Sequence, residues 1–138
     1  MSNPAKAPET FTVTHTDAEW RAKLAPEAYR VLRQHGTERA GASPLEHEKR
    51  HGQFLCAGCH QALFASGAKF DSGSGWPSFT QPLAGAVATQ IDKSHSMIRV
   101  EVHCSNCGGH LGHVFEDGPA PTGLRFCMNG AAMTFDPA

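Results

Sequence analysis

The sequence predicts a mainly β domain, antiparallel, with short helices on its N-terminal side, and three observations carry that expectation. Ile98, Val100 and Val102 alternate with Arg99, Glu101 and His103, the period-two pattern of a strand. Two Cys-x-x-Cys pairs, Cys56 with Cys59 and Cys104 with Cys107, mark knuckles beside strand ends. The helix signals all fall before Gly36.

Residues 1–9 carry Pro4 and Pro8 without periodicity and read as a flexible tail, leaving 10–138 as a single domain. Thr16 and Glu19 have capping-box spacing, and Trp20 and Leu24 follow one helical turn apart. Pro26 suits the first turn of a second helix, on which Tyr29 and Leu32 share a face before Gly36 ends it. Thr37 to Pro44 is rich in turn formers. Weaker strand patterns occupy 53–56, 62–65, 87–92, 111–115 and 124–128, with glycines and prolines marking the turns between them.

At 138 residues the chain has room for a core but gains from a staple. A formal net charge of −1, with no basic-aromatic run, argues against a nucleic-acid partner. No apolar run approaches the roughly 20 residues of a membrane span, and the stretch from Met1 to Pro8 lacks the apolar core of a signal peptide. The expected location is therefore the cytoplasm, with no membrane partner, and nothing points to an obligate oligomer; a monomer is expected.

In a reducing compartment Cys-x-x-Cys pairs favour metal over disulfides, and an odd total of five cysteines leaves one thiol over. Cys56, Cys59, Cys104 and Cys107 supply the four thiolates of a closed tetrahedral zinc site. Structural zinc is worth roughly 10–16 kcal/mol of apparent binding energy in small peptides, so loss of a ligand threatens folding itself. The competing assignment is a pair of disulfides.

Cys127 is the thiol left over, in Arg125-Phe126-Cys127-Met128-Asn129. In a regular strand Arg125, Cys127 and Asn129 share one face, while Leu124, Phe126 and Met128 share the other and suit a core. Arg125 can lower the thiol pKa by stabilising the thiolate, and Asn129 can donate a hydrogen bond to an oxygen held near the sulfur. A lone cysteine is otherwise a small buried hydrophobe with an inert thiol. The cation and the amide on its face favour chemistry.

Two other segments offer partners. His110 and His113 follow the second knuckle, and Trp76 lies in the glycine-rich run Ser72-Gly73-Ser74-Gly75-Trp76-Pro77-Ser78-Phe79. Three apart, the histidines face opposite sides of a flat strand. Either Gly112 marks a bulge that brings both round, or only one reaches Cys127. Trp76, between a glycine and a proline, suits a pocket wall better than a strand interior.

Taken in order, the two knuckles, Ser-Gly-Ser-Gly-Trp-Pro-Ser-Phe, His-Leu-Gly-His-Val-Phe and Arg-Phe-Cys-Met-Asn resemble the methionine-R-sulfoxide reductase family from near Thr16 to Phe135. The resemblance implies two antiparallel sheets, a β-tent, with the zinc site away from the active site. It implies Cys127 as nucleophile and Trp76 as a wall for the substrate methyl group. His110, His113 and Asn129 match the family positions around the sulfoxide oxygen, and Asp117 and Arg125 match a supporting pair. A sulfoxide sulfur becomes electrophilic as its oxygen is protonated, so thiolate and proton donor must converge on one S=O group, with His113 the expected donor. The cysteine is left as sulfenic acid. Expected partners are oxidised proteins carrying methionine-R-sulfoxide and a thioredoxin or glutathione/glutaredoxin reductant.

One position departs from the pattern. Many members carry a second cysteine where this chain has Ser74, and that thiol resolves the sulfenic acid as a disulfide. Ser74 cannot, and the knuckle thiols are committed to zinc, so an external thiol is expected to reduce Cys127 directly. The rival from another class is a non-catalytic, zinc-stapled β module that binds a partner. A zinc hydrolase is weaker still, because four cysteines leave no open coordination position.

Overall fold

The computed structural model describes residues 11–138, so the expected tail over 1–9 lies outside the described residues. Thr16 accepts from the Glu19 N–H while the Glu19 carboxylate accepts from the Thr16 N–H, and this capping box opens α1 (Asp17–Lys23). Pro26 occupies the first turn of α2 (Pro26–Gln34), where its missing N–H has no helical partner to lose. That helix ends at His35, which takes the left-handed conformation at φ 55 and ψ 35, and not at Gly36 as expected. Gly36 serves another need: its N–H donates to the Arg30 carbonyl at 2.9 Å, and a Cβ there would lie 2.7 Å from the Arg30 guanidinium. Trp20 and Leu32 are buried, and Arg33 donates to the Cys107 carbonyl at 3.0 Å, fixing α2 against the second knuckle.

Among the described residues, nine strands form two antiparallel sheets. The smaller contains β1 (Gly52–Cys56) between β2 (Ala62–Ala65) and the C-terminal β9 (Met133–Pro137). The larger runs β3 (Lys69–Phe70), β4 (Ser78–Phe79), β8 (Arg125–Met128), β7 (His110–Phe115), β6 (Arg99–Cys104), β5 (Val87–Asp92) across the sheet. Three strands escaped the sequence reading. The two-residue β3 and β4 are too short to show a period, and β9 ends in a proline, which its edge position tolerates.

The sheets meet through aromatic side chains. Phe64 of β2 stacks on Phe79 of β4 at 4.2 Å and 17°, and Phe54 of β1 meets the same ring edge-on at 5.0 Å. Phe126 and Met128 of β8 and Val102 of β6 are buried on that inner face, as the β8 alternation requires. Aromatic pairs of this kind add about 0.5–1.5 kcal/mol each beyond their area. The opposite face of the large sheet is not given over to solvent: Glu101 and His103 of β6 are buried there too.

β7 carries the irregularity that matters for the site. Glu101 pairs with His113 and Val102 with Gly112, but His103 pairs with His110, so Leu111 is an extra residue in the ladder. The bulge therefore sits at Leu111, not at Gly112, and it turns His110 to the face of His113, with the rings 5.4 Å apart. Gly112 stays in register because β8 lies against it. A Cβ there would be 2.1 Å from the Cys127 carbonyl oxygen.

Candidate active site

β7 sets His113 directly across the ladder from Cys127, and β4 sets Ser78 across from it on the other side. A cavity of about 230 Å³ opens here, with Cys127, His113, Arg125 and Asn129 in its lining. Trp76 and Ser74 contribute one wall from the glycine-rich loop; Arg99 and Phe115 contribute another. The loop is braced by hydroxyls: Ser72 Oγ lies 2.8 Å from both Ser74 Oγ and Ser78 Oγ. Gly75 adopts φ +94, and a Cβ on it would meet the Ala40 methyl at 2.7 Å, so the turn and the close approach both call for glycine. The Trp76 indole N–H donates to the Glu38 carbonyl at 3.0 Å, which fixes the plane of the wall.

Cys127 is half-buried, and burial pushes its thiol pKa up. The Arg125 charge and hydrogen bonding from Ser74 and Arg125 pull it down, but burial wins. Arg125 thus acts in the expected direction without producing a thiol of lowered pKa. Its guanidinium is held by two bonds to Asp117, at 2.9 and 3.1 Å, and lies 4.7 Å over the Phe115 ring. Asp117 itself is exposed and outside the cavity lining.

Both histidines rest on carboxylates. His113 Nε2 lies 2.7 Å from Asp92 Oδ2; burial lowers the His113 pKa, and Asp92 opposes that. His110 Nδ1 lies 2.7 Å from Glu101 Oε2, and His103 Nδ1 lies 2.9 Å from the other oxygen. Burial acts to raise the Glu101 pKa, yet the bonds from His103 and His110 hold it at about 2. His110 is buried and, unlike His113, does not line the cavity.

Asn129 departs from the expected strand. β8 ends at Met128, and Asn129 opens the short 3-10 turn Gly130–Ala132 while its side chain still reaches the cavity. Its amide is mostly committed: Oδ1 accepts from the Glu38 N–H at 2.8 Å and Nδ2 donates to the Leu111 carbonyl at 3.0 Å. One amide N–H remains for a guest.

All five cysteines are free, and away from the cavity four of them converge. Cys56 and Cys107 sulfurs lie 3.7 Å apart, Cys59 and Cys104 sulfurs 3.6 Å, and all four fall within 4.8 Å of one another. A tetrahedron with metal–sulfur bonds of about 2.3 Å has edges of about 3.8 Å. Backbone N–H groups of Gly58 and Asn106 point at Cys56 and Cys104 sulfurs at 3.3 and 3.4 Å, the donors that thiolates want. These four cysteines can hold a metal ion.

A family model described as the SelR domain matches residues 24–137. The chain belongs to the SelR family. Curated relatives named peptide methionine sulfoxide reductase MsrB are close to it over most of their length. That of Agrobacterium fabrum is 52% identical over 126 residues, covering 91% of this chain and 93% of the relative. That of Thiobacillus denitrificans is 54% identical over 123 residues, 88% of this chain and 93% of the relative. That of Bradyrhizobium diazoefficiens is 54% identical over 126 residues, 91% of each.

Three residues of this SelR chain were missed in the sequence. Glu38 sits in a stretch read only as turns, and its partners are far along the chain: its carboxylate accepts from Gly130 and Ala131 N–H groups, each at 2.8 Å. Asp92 and Glu101 were hidden inside strand patterns. The available signal was the row Arg99, Glu101, His103, a titratable face too rich for an idle surface.

Proposed function

We propose that this chain reduces methionine-R-sulfoxide to methionine, with residues 10–138 acting as one domain and Cys127 as nucleophile. The observation that carries the reading is the cavity in which Cys127 stands opposite His113 and shares the lining with Trp76. The substrate methyl group lies against Trp76, and the sulfoxide oxygen turns toward His113 and the free N–H of Asn129, on the side where His110 packs against His113. Asp117 supports Arg125, which steadies the thiolate. Because Asp92 takes the Nε2–H of His113, the proton for the oxygen leaves from Nδ1. The Cys127 thiolate bonds to the sulfoxide sulfur as the oxygen takes the proton; the hydroxyl then passes to Cys127, and the sulfur–sulfur and sulfur–oxygen bonds of the substrate sulfur break as the thioether departs with its lone pair restored. The protein is left as a sulfenic acid.

Two external thiols then return Cys127 to its thiol, releasing water and a disulfide. The Ser74 hydroxyl, which interacts with Cys127, occupies the place from which a second thiol could have acted. Thioredoxin or glutathione with glutaredoxin fits this need, in a reducing cytoplasm. Cys56, Cys59, Cys104 and Cys107 would hold zinc, which supplies a structural cross-link and no open position for catalysis.

The test offers racemic dabsyl-methionine sulfoxide with excess dithiothreitol and resolves the epimers left behind. The R epimer is expected to disappear and the S epimer to remain, with Cys127→Ser inactive but folded and metal-loaded. Consumption of neither epimer by the folded protein would return the site to a non-catalytic binding module.

A further inference from the structure

Glu101 is a carboxylate only 2% exposed, and among the described residues its ion-pair partners are two imidazoles. A carboxylate can only accept, so the Nδ1 atoms of His103 and His110 both carry protons toward it. Neutral imidazole in water favours the proton on Nε2, and the contact selects the other tautomer. For His110 this leaves Nε2 as the second nitrogen. That atom is buried and has no hydrogen-bond partner among the described residues, where buried polar atoms are nearly always paired. The Leu111 bulge holds this ring against His113, which lines the cavity and is fixed in the opposite sense, through Nε2.

We propose that Glu101 is a positioning residue for the sulfoxide reduction: by holding the Nδ1–H of His110 it fixes that ring behind His113 and so sets the orientation of the histidine that faces the bound sulfoxide. The kinetic part rests on the function proposed above; the tautomer stands on geometry alone. The proton for the oxygen still leaves from His113, against whose ring His110 packs at 5.4 Å. The Nδ1–H stays on Glu101 throughout. A carboxylate behind an imidazole fixes the tautomer and the orientation of the ring.

Histidine ring 15N–1H correlation spectra of the intact protein at about pH 8.5, above the ordinary imidazole range, read the tautomer directly. His110→Gln assigns the signals by loss. A proton on Nδ1 of His110 is expected; an unprotonated Nδ1 overturns the proposal, whether or not the protein turns over sulfoxide. Glu101→Gln is the kinetic arm. Its amide can accept from one Nδ1–H but must present N–H to the other ring, so one histidine loses its bond or flips. The expected result in the folded variant is a kcat lowered about a hundredfold with KM within about twofold. An unchanged kcat beside an active wild type overturns the positioning role, whereas an inactive wild type strikes the function and leaves the tautomer to the spectra.

Discussion

Cys127 is subject to opposing forces, and their balance sets its pH behaviour. Burial raises the thiol pKa; Arg125 and Ser74 lower it by less. With the pKa above its ordinary value, the thiolate is a minority at neutral pH, and the proposed attack by Cys127 is expected to speed up as pH climbs through the thiol pKa. Arg125→Gln removes a lowering contribution, so the profile moves to higher pH and the neutral-pH rate falls several-fold. Alkylation rates of Cys127 against pH measure this without substrate, and a midpoint that stays put or falls would remove Arg125 from the account. Position 74 allows a second experiment. Because the Ser74 side chain interacts with Cys127, Ser74→Cys is expected to convert the sulfenic acid into an internal disulfide after one turnover. Counting free thiols in the oxidised variant checks it: two fewer than in the reduced protein, against one fewer in the wild type.

At the scale of elements, β7 matters most, because its bulge decides which side chains share a face. Gly112→Ala would force a methyl against the Cys127 carbonyl and part β7 from β8. The expected cost is about 1–3 kcal/mol, with activity lost beyond what the loss of stability explains. Urea unfolding of the variant beside its kcat gives both numbers, and a neutral substitution would mean the strands part freely. The sequence made some of this legible. The alternation in β6 announced a strand because regular pairing preserves period two, though it ran on to Ile98, which lies one residue before the ladder and is 77% exposed. The bulge could only be posed as a question, since nothing in His-Leu-Gly-His says whether leucine or glycine is the extra residue. The inward carboxylates of Asp92 and Glu101 were hidden for a related reason. Their partners are set by cross-strand neighbours, which one chain's periodicity does not name. Cys127, Trp76 and the cysteine quartet were legible because their chemistry is rare and their spacing short.

For the whole molecule, the quartet links β1 and its following turn to the end of β6 and the turn after it, so one ion bound there would tie the small sheet to the large one. Domains of this size are stable by only about 5–15 kcal/mol, comparable with the roughly 10–16 kcal/mol of a structural zinc site. Chelation, or Cys56→Ser, is therefore expected to unfold most of the protein at room temperature. Circular dichroism with and without chelator, alongside metal analysis, reads this; an unchanged spectrum from metal-free protein would show that the aromatic core between the sheets suffices. The cavity at Cys127 lies on the other face from that core, so metal loss is expected to abolish activity only by way of the fold.

The most direct measurement is a single turnover without reductant: fully reduced protein mixed with excess methionine-R-sulfoxide, followed by quantitation of methionine and intact-mass and peptide analysis. One equivalent of methionine per chain is expected, with one added oxygen on Cys127 and no internal disulfide. Methionine formed while Cys127 stays unmodified, or a disulfide drawn from the knuckle cysteines, would contradict a one-cysteine cycle centred on Cys127.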